Sequence, residues 1–398
     1  MIARERRQTR LKGRSVWFAV IAVTLGAPRL DAQSPVTAVG LGYKVEAIDG
    51  RAAALGGTGI GLLGGSFSIR NPADLLQHDE AGFGLSFSGE GVQLANGGRG
   101  VDSGRQRFTT IRALVPFSGW AASIAFGSEF DQDWQSRFVD TLFLADGFVP
   151  FEETREHDGG ISTVDVSLAR NLGPFAVGAS LQRLSGSLRQ SFFRAFDTPG
   201  GSAPSLGSVG GAQELAYQAW RVKGGASISF SDRYVLSGSF SLPSTLTSTV
   251  QDSSRQAVDF DLPTTFEFGG SARLTNSVLV TAALGRGSWS NVGSTGTYTS
   301  HDVGWYGAGL EFGGLRFLGG DLPVRIGART AELPFSLGPD PIREQAITGG
   351  LGWQFQDGLA VVDLALEVGS RGDFAVDALE ESFSRFTLSF TLRQRARR

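Results

Sequence analysis

The sequence predicts an all-β fold, a transmembrane antiparallel β-barrel of about 14 strands. Apolar residues alternate with Gly, Ser, Thr and charged residues at a period of two from about residue 81 onward. No run of about 18 apolar residues follows residue 30, so a closed barrel is the only way this chain could cross a membrane. The predicted connections also alternate between short and long, as they do in transmembrane barrels.

Residues 1–32 form a predicted signal peptide. Six basic residues lie within residues 1–14, and an uncharged stretch runs from Ser15 to Pro28. This stretch is shorter than the roughly 20 residues of a transmembrane helix, so a retained membrane anchor is the less favoured alternative. A basic region, a short apolar region and small residues after it are typical of secretory signals. We predict cleavage after Ala32, so that the mature chain begins at Gln33.

Composition excludes several classes of function. The predicted mature chain has 29 basic and 37 acidic residues, a formal charge of −8, which argues against a nucleic-acid partner. The chain has no cysteine, so it offers neither a disulfide nor a thiolate metal ligand. His78, His157 and His301 lack metal-ligand spacing, and no Gly-x-Ser-x-Gly elbow is present. We therefore expect no cofactor, no metal and no enzymatic activity.

The strands are predicted from segments of alternating hydrophobicity, separated by turn residues. An even number of strands places both termini in the periplasm, with short turns on that side and long loops outside. The fourteen predicted segments are centred near residues 86, 111, 124, 165, 180, 223, 237, 269, 281, 308, 327, 350, 364 and 388. Short turns are expected at 116–119, 171–174, 231–233, 275–277, 318–323 and 356–358, and long loops near 95–105, 130–158, 190–213, 243–262, 287–301, 331–343 and 370–381.

Residues 33–80 do not alternate, and we predict that they form a compact hatch (plug) inside the lumen of a barrel made by residues 81–398. The stretch from Arg51 to Gly65 is rich in Gly and Ala, and the turn Asn71, Pro72, Ala73 follows it. Gly59-x-Gly61-x-x-Gly64 matches the dinucleotide fingerprint by spelling alone, because no strand–helix–strand unit surrounds it.

These residues resemble the long-chain fatty-acid outer-membrane transporter family, the FadL/TodX group. The Gly/Ala-rich block that ends in Asn71-Pro72-Ala73 is similar to the hatch of that family. The resemblance continues over most of the mature chain in Phe260–Pro263, Phe266–Gly270, Arg286–Ser290, Pro323–Gly327, Gly349–Trp353 and Asp363. The C-terminus departs from the family because Arg393–Arg398 is basic where an aromatic residue is expected.

The resemblance implies a fourteen-stranded barrel closed by a hatch, which passes hydrophobic substrates from external loops to a pocket and out through a gap in the wall. We therefore expect passive transport of hydrophobic small molecules, such as long-chain fatty acids or hydrocarbons, across the bacterial outer membrane. The expected partners are this substrate, outer-membrane lipids and the barrel-assembly machinery, and the chain is expected to be a monomer. The alternatives are a non-transporting barrel that serves as a scaffold or in a secretion machine, a porin for polar solutes, and a lipid-acting enzyme with a Ser/His pair.

Loops 130–158 and 190–213 contain more aromatic residues than solvated loops normally do. We predict that they capture apolar substrate, with Arg194 placed to meet a carboxylate headgroup. The alternatives are a satellite core over the barrel mouth, aromatic side chains in the membrane-interface belt, and a structural arginine stacked on a ring. The predicted binding residues are Trp134, Phe138, Phe143, Phe148, Phe151, Phe192, Phe193 and Arg194.

Six charged residues are predicted to face the lumen. The favoured interpretation is a ladder of paired charges that satisfies a polar interior. The alternative is an electrostatic constriction that selects solutes by charge. The six residues are Arg112, Asp165, Arg183, Arg221, Lys223 and Glu367.

Overall fold

The protein forms a closed antiparallel barrel, described by a computed structural model at residues 34–96, 99–144, 147–196, 207–250, 259–292, 298–374 and 380–394. The wall consists of β1 (Ala81–Asn96), β2 (Arg99–Phe117), β3 (Trp120–Asp131), β4 (Gly147–Leu172), β5 (Phe175–Phe196), β6 (Val209–Phe230), β7 (Tyr234–Ser241), β8 (Thr265–Thr275), β9 (Val278–Gly287), β10 (Val303–Phe312), β11 (Val324–Glu332), β12 (Arg343–Phe355), β13 (Ala360–Arg371) and β14 (Glu381–Gln394). Each strand pairs with its neighbours in this order, and β14 pairs with β1 from Ala81↔Gln394 to Leu94↔Glu381, which closes the ring.

The predicted strand number is confirmed, because each of the fourteen predicted segments falls within one wall strand. The short turns lie where the sequence predicts them, except that the connection from β10 to β11 carries a small hairpin of its own, Arg316–Phe317 with Gly320–Asp321. No helix in the described ranges is long and apolar enough to cross a membrane. The predicted signal peptide falls outside the described residues.

The barrel is taller on one side than on the other. Strands β4, β5 and β6 have 26, 22 and 22 residues, whereas β7 has 8. Three further strands extend this side above the barrel mouth: Trp134–Leu144 pairs with β4, Ser244–Val250 pairs with β6, and Phe260–Leu262 pairs with Ser244–Val250. We call this projecting sheet the overhang, and it comprises Trp134–Leu144, residues 147–160, 185–196 and 209–218, Ser244–Val250 and Phe260–Leu262.

The expectation of irregular loops at 130–158 and 190–213 was therefore wrong for the described parts of these segments. The strand from Trp134 to Leu144 pairs with Gly147–His157, and residues 185–194 of β5 pair with residues 209–218 of β6. The paired strands satisfy each other's backbone groups, which a long irregular loop would leave to water. Their aromatic and β-branched residues also favour strands.

The wall has an apolar outer face and a polar inner face, as the period of two requires. Outward side chains such as Ile124, Val166 and Leu236 are each more than half exposed. Inward side chains such as Thr110 and Asp165 are buried. Because so continuous an apolar surface is unfavourable in water, this face is suited to lipid.

Residues 34–80 lie inside the ring, and we call them the inner segment. Besides α1 (Gly50–Ala54), they contain the strand Tyr43–Lys44 and the 3-10 turns Pro35–Ala38 and Pro72–Gln77. Asp49 caps α1 by accepting from Ala52 N at 2.8 Å, and Asn71 caps the last turn by accepting from Ala73 N at 2.9 Å. The remaining short elements belong to the connections: Ser231–Arg233, Trp289–Val292, Thr299–Ser300 and Phe335–Ser336.

Glycines of the wall let the inner segment approach it closely. A Cβ atom at Gly309 of β10 would lie 2.7 Å from backbone atoms of Leu55, and one at Gly178 of β5 would lie 2.6 Å from the backbone of Pro72 and Ala73. Ordinary side chains at these positions would displace the segment. These wall glycines therefore allow the backbone of the inner segment to contact the backbone of the wall at β5 and at β10.

Candidate functional site

Five of the six charged residues predicted for the lumen face it, and each has a hydrogen-bonding partner, although only Arg221 and Glu367 are paired with an opposite charge. Arg221 binds Glu129 through two hydrogen bonds of 2.8 and 3.0 Å, Gln182 donates to Asp165 at 2.8 Å, and Glu367 accepts from Arg329 and Arg385. Arg112 donates to the Ser68 carbonyl and to Ser123, and Lys223 donates to the Ile69 carbonyl. The hydrogen bonds to the carbonyls of Ser68 and Ile69 join the inner segment to the wall.

The placement of Arg183 in the lumen was wrong. It shares its parity along β5 with the outward Leu181, and its guanidinium stacks over outward Trp220 at 5.1 Å. Side chains alternate between the two faces of a strand, so the face of a charged residue follows from its distance along the chain to the apolar, outward residues of the same strand.

A second, denser charge cluster surrounds Tyr43 of the inner segment. The guanidinium carbons of four arginines lie between 4.6 and 5.7 Å from the centroid of its ring. Its hydroxyl donates to Glu344 and accepts from Arg385. The arginines are Arg105, Arg107, Arg371 and Arg385, and the carboxylates that pair with them are Glu90, Asp131, Glu344, Glu367 and Glu381. This cluster was not predicted, because Arg105, Asp131, Arg371 and Glu381 lie in segments whose sequence predicts loops.

Strands β2 and β3 separate above Thr110↔Gly127, the last pair that joins them in the described residues. At this height Thr109 is an extra residue in the pairing of β2 with β1, and Glu129 is an extra residue in the pairing of β3 with β4. Such β-bulges bend a strand, and here they bend the two strands apart. Above this pair the β2-facing edge of β3 is free to accept another strand.

The inner segment occupies this free edge. Tyr43 lies opposite Asp131 and Lys44 opposite Phe130 in an antiparallel ladder, and Val45 N donates to the Glu129 carbonyl at 2.9 Å. The guanidinium of Arg107, on β2, pairs with Asp131 at 2.8 Å and so bridges the opening. The gap in the wall is therefore lined on the inside by the segment that fills the lumen.

An apolar cluster lies at the mouth of the barrel, where the inner segment begins. Trp289 is at its centre, is 2 % exposed, and packs edge-to-face against Phe130 and Phe335 at 5.6 and 5.8 Å between ring centroids. We call it the mouth cluster; it contains Val39, Leu41, Phe130, Ile161, Leu184, Leu188, Tyr217, Ala219, Leu246, Phe260, Leu262, Trp289, Val292, Val303 and Phe335.

Directly under the mouth cluster is a cavity of about 60 Å³, lined by Trp289 and Leu262 from the cluster and by Lys44 and Lys223. The chain has only three lysines, and the third is Lys12. The other cations of this cavity are paired, Arg221 with Glu129 and Arg70 with Glu46 and Glu267. Among the described residues, no carboxylate forms an ion pair with either lysine. Lys44 instead lies 5.9 Å from the Trp289 ring centroid.

The eight predicted capture residues lie together on the overhang but on two faces. Trp134, Phe138, Phe151, Phe192 and Arg194 share the inner face, where Phe151 packs against Phe138 and Phe196. Phe143, Phe148 and Phe193 lie on the outer face and are 81, 68 and 53 % exposed. Their role in capture stays a prediction.

Arg194 forms an ion pair with Glu153 in this arrangement. Its Nε donates to Glu153 at 2.6 Å, Arg155 Nε donates to the same carboxylate at 2.5 Å, and the guanidinium of Arg194 stacks over Phe151 at 4.4 Å. Burial raises the pKa of Glu153, but the hydrogen bonds from Arg155 and Arg194 outweigh it, so the pKa lies below its ordinary value.

A Ser/His pair, which the enzyme alternative requires, exists at the mouth. His301 Nε2 lies 2.7 Å from Ser336 Oγ. However, Ser336 is 1 % exposed and its hydroxyl also lies 2.9 Å from the Gly338 carbonyl, so the pair joins two connections and is not open to a substrate. Within the described ranges, no group of three His, Asp or Glu residues is placed to hold a metal ion.

Several solved structures share this architecture. The toluene transporter TbuX of Ralstonia pickettii is 16% identical and superposes with a TM-score of 0.56 over 88% of this chain and 99% of its own. The toluene transporter TodX of Pseudomonas putida is 14% identical, with a TM-score of 0.57 over 88% and 98%. A FadL homologue of Pseudomonas aeruginosa is 12% identical, with a TM-score of 0.58 over 88% and 99%. Two of these three proteins are named as toluene transporters, and the third is named as a homologue of FadL.

No protein-family model matches the sequence, and no curated protein matches it significantly. The relationship is therefore one of fold. The chain has the FadL/TodX-like fold of outer-membrane transporters, a closed fourteen-stranded barrel around an N-terminal segment.

Proposed function

We propose that this protein passively transports hydrophobic small molecules across the bacterial outer membrane, after export by the signal peptide of residues 1–32. The inner segment acts as the hatch, and the inner face of the overhang captures substrate. The observation that carries the proposal is the continuity of three features: the mouth cluster, the lysine cavity beneath it, and the wall gap beside Tyr43 and Lys44. An apolar molecule has an apolar site at the mouth and an opening toward lipid a few residues away.

The two lysines favour a substrate with an acidic headgroup. Toluene, the compound named for TbuX and TodX, carries no charge. Here Lys44 and Lys223 line one cavity directly under the mouth cluster, and a carboxylate placed between them would receive charge-assisted hydrogen bonds. Lysine is a compact, adaptable donor, whereas the nearby Arg221 and Arg70 are already held by carboxylates of the protein. We therefore propose a long-chain fatty acid, or another apolar carboxylate, as the substrate.

In the present closed form the cavity has room for water only, since a drug-sized ligand needs at least about 300 Å³. Substrate binding must therefore displace side chains of the mouth cluster or the strand Tyr43–Lys44. That strand has only two residues, and it connects the lysine cavity to the gap. Release of this strand from the edge of β3 would open the gap in the wall when substrate occupies the cavity.

The test is uptake into liposomes that contain the purified mature protein. A long-chain fatty acid, a bulky aromatic hydrocarbon and a small sugar are compared with protein-free liposomes, because fatty acids cross bilayers unaided. We expect faster entry of the fatty acid and no entry of the sugar. Lys44→Met and Lys223→Met should each weaken fatty-acid uptake about tenfold or more at low concentration, the effect of one lost charged hydrogen bond. Arg233→Met, in an exposed periplasmic turn, is the matched control.

The outcomes separate the alternatives. Faster entry of the hydrocarbon alone, unaffected by Lys44→Met, would keep the transporter and overturn the acidic substrate. Sugar entry would indicate an open porin. If no solute enters faster than in empty liposomes, the barrel is a scaffold or part of a secretion machine and the transport proposal fails.

A further inference from the structure

The outer face of the wall carries a groove that the transport pathway does not use. It has a volume of about 700 Å³ and spans β10 to β14. The wall behind it is complete, because β10 pairs with β11, β11 with β12 and β12 with β13 without interruption. Arg329, which borders it, points inward and is paired with Glu344 and Glu367. The groove is therefore a trough in the surface, not an opening.

Small side chains form its floor and large apolar ones form its sides. Across the strands, Ala308 pairs with Ala328, which leaves the wall thin at this point. Tyr306, Ile347 and Val368 rise beside this floor and are 59, 71 and 66 % exposed. A trough of this kind on an outward apolar face fits a flexible hydrocarbon chain.

The residues change from apolar to polar toward the mouth. One row up from Ala308, the strand register aligns Tyr306, Thr330, Gln345, Ser370 and Ser382. The next row contains Glu332 and Arg343, which are 3.7 Å apart. A tyrosine and hydroxyl row between apolar and charged rows is typical of the membrane interface. The groove therefore runs from the hydrocarbon region up to the headgroup region.

We propose that this groove binds one membrane lipid, with an acyl chain in the trough and a headgroup of net negative charge whose phosphate lies against Arg343. The side chain of Arg343 is 64% exposed and holds Glu332 only at the limit of an ion pair, so its guanidinium can bind a phosphate. The hydroxyl row lies where the ester groups of the lipid would be. The occupant is a lipid and not a protein because the sides of the groove belong to the lipid-facing band.

The proposal requires that the barrel spans a membrane, but it does not depend on transport. We would reconstitute the mature protein in nanodiscs of phosphatidylcholine and phosphatidylglycerol and detect retained lipid by native mass spectrometry. We expect one retained lipid, enriched in phosphatidylglycerol. Ala328→Trp fills the trough and should abolish retention. Arg343→Gln should reduce the preference for phosphatidylglycerol about five-fold and leave retention of phosphatidylcholine.

Two variants serve as matched controls. Ala179→Trp places the same bulk on the outward face of β5, on the opposite side of the barrel, and Arg286→Gln removes an exposed arginine paired at 3.8 Å with Asp302. Both should retain lipid as the unmodified protein does. Loss of lipid in Ala179→Trp as large as in Ala328→Trp, or no retained lipid in the unmodified protein, would overturn the site. Equal retention of both lipids would overturn the assignment of the headgroup to Arg343.

Discussion

Lys44 of the inner segment lies directly opposite Phe130 of β3, so a strand of two residues fills the sheet edge that β2 leaves free. Residues directly opposite in an antiparallel ladder have Cα atoms about 4.5–5.5 Å apart, within the range of a disulfide. The chain has no cysteine of its own, so an introduced pair can form only one intramolecular disulfide.

The double variant Lys44→Cys, Phe130→Cys should therefore stop uptake when it is oxidised. The disulfide would hold the strand on the wall and keep the gap lined. Addition of a reductant should increase uptake at least tenfold, and the reduced protein is its own control for the loss of the two side chains. Equal uptake before and after reduction would show that substrate does not pass this strand.

The two faces of the overhang should differ in their effect on uptake. Phe138→Ala and Phe192→Ala remove rings from the inner face, and each should raise the KM of uptake roughly five-fold, about half the effect of burying a phenylalanine fully. Phe143→Ala and Phe148→Ala change the outer face and should leave KM unchanged. A larger effect of the outer pair would place capture on the other side of the sheet.

The Glu153 cluster makes the overhang sensitive to acid. The pKa of Glu153 is lowered in the folded protein, so its contribution is present above the ordinary carboxylate pKa of about 4.3 and is lost as pH falls through the lowered value. Hydrogen exchange of residues 151–157 and 190–196, corrected for intrinsic rates, should stay constant from about pH 7 to 5 and accelerate below that. Glu153→Gln should remove the pH dependence and accelerate exchange between about pH 7 and 5, where the carboxylate of the unmodified protein is ionised. A constant rate in the unmodified protein below pH 4 would contradict this role.

Wall glycines hold the inner segment in place. Gly309→Val should push Leu55 away, since a Cβ atom there lies 2.7 Å from its backbone, and we expect measurable leakage of a small sugar through the loosened lumen. Gly349→Val is the control, because a Cβ atom at this half-buried position in β12 approaches only the Arg325 carbonyl, at 3.7 Å. Sugar exclusion by both variants would mean that the segment tolerates displacement at β10.

The Ser336/His301 pair should have no catalytic role. Ser336→Ala removes one buried hydroxyl and should lower stability by about 1 kcal/mol, measured by thermal unfolding of the purified barrel. Fatty-acid uptake and the absence of lipid hydrolysis should stay as in the unmodified protein. Release of fatty acid from phospholipid by the unmodified protein, lost in Ser336→Ala, would revive the enzyme alternative.

The number of strands could be predicted because the period of two is a local property. Residues such as Val177 and Leu181 report their own outward face without knowledge of distant partners. The overhang could not be predicted in this way, because a paired strand and an irregular loop can contain the same aromatic residues. Only the pairing of Trp134 with His157, 23 residues later, distinguishes them.

Only one of the two lysines that line the cavity could be placed from the sequence. Lys223 is identified as inward by the parity of β6, but Lys44 belongs to a segment with no period, and its neighbour Trp289 lies 245 residues away. The scarcity of lysine was the available signal, since two lysines among many arginines mark positions where a guanidinium is not used. The cluster around Tyr43 depends on six strands and has no local signal.

The hydrogen bond from Gly50 N to Ser389 Oγ joins residues 339 positions apart. One participant lies in α1 of the inner segment and the other in β14, the strand that closes the ring against β1. A folded segment surrounded by a closed wall cannot be inserted afterwards, and contacts of such sequence separation form late because the loop between them must first be closed. We therefore expect the earliest-synthesised part of the domain to remain unfinished until the last strand arrives, so that sealing the seam and folding the interior are a single event.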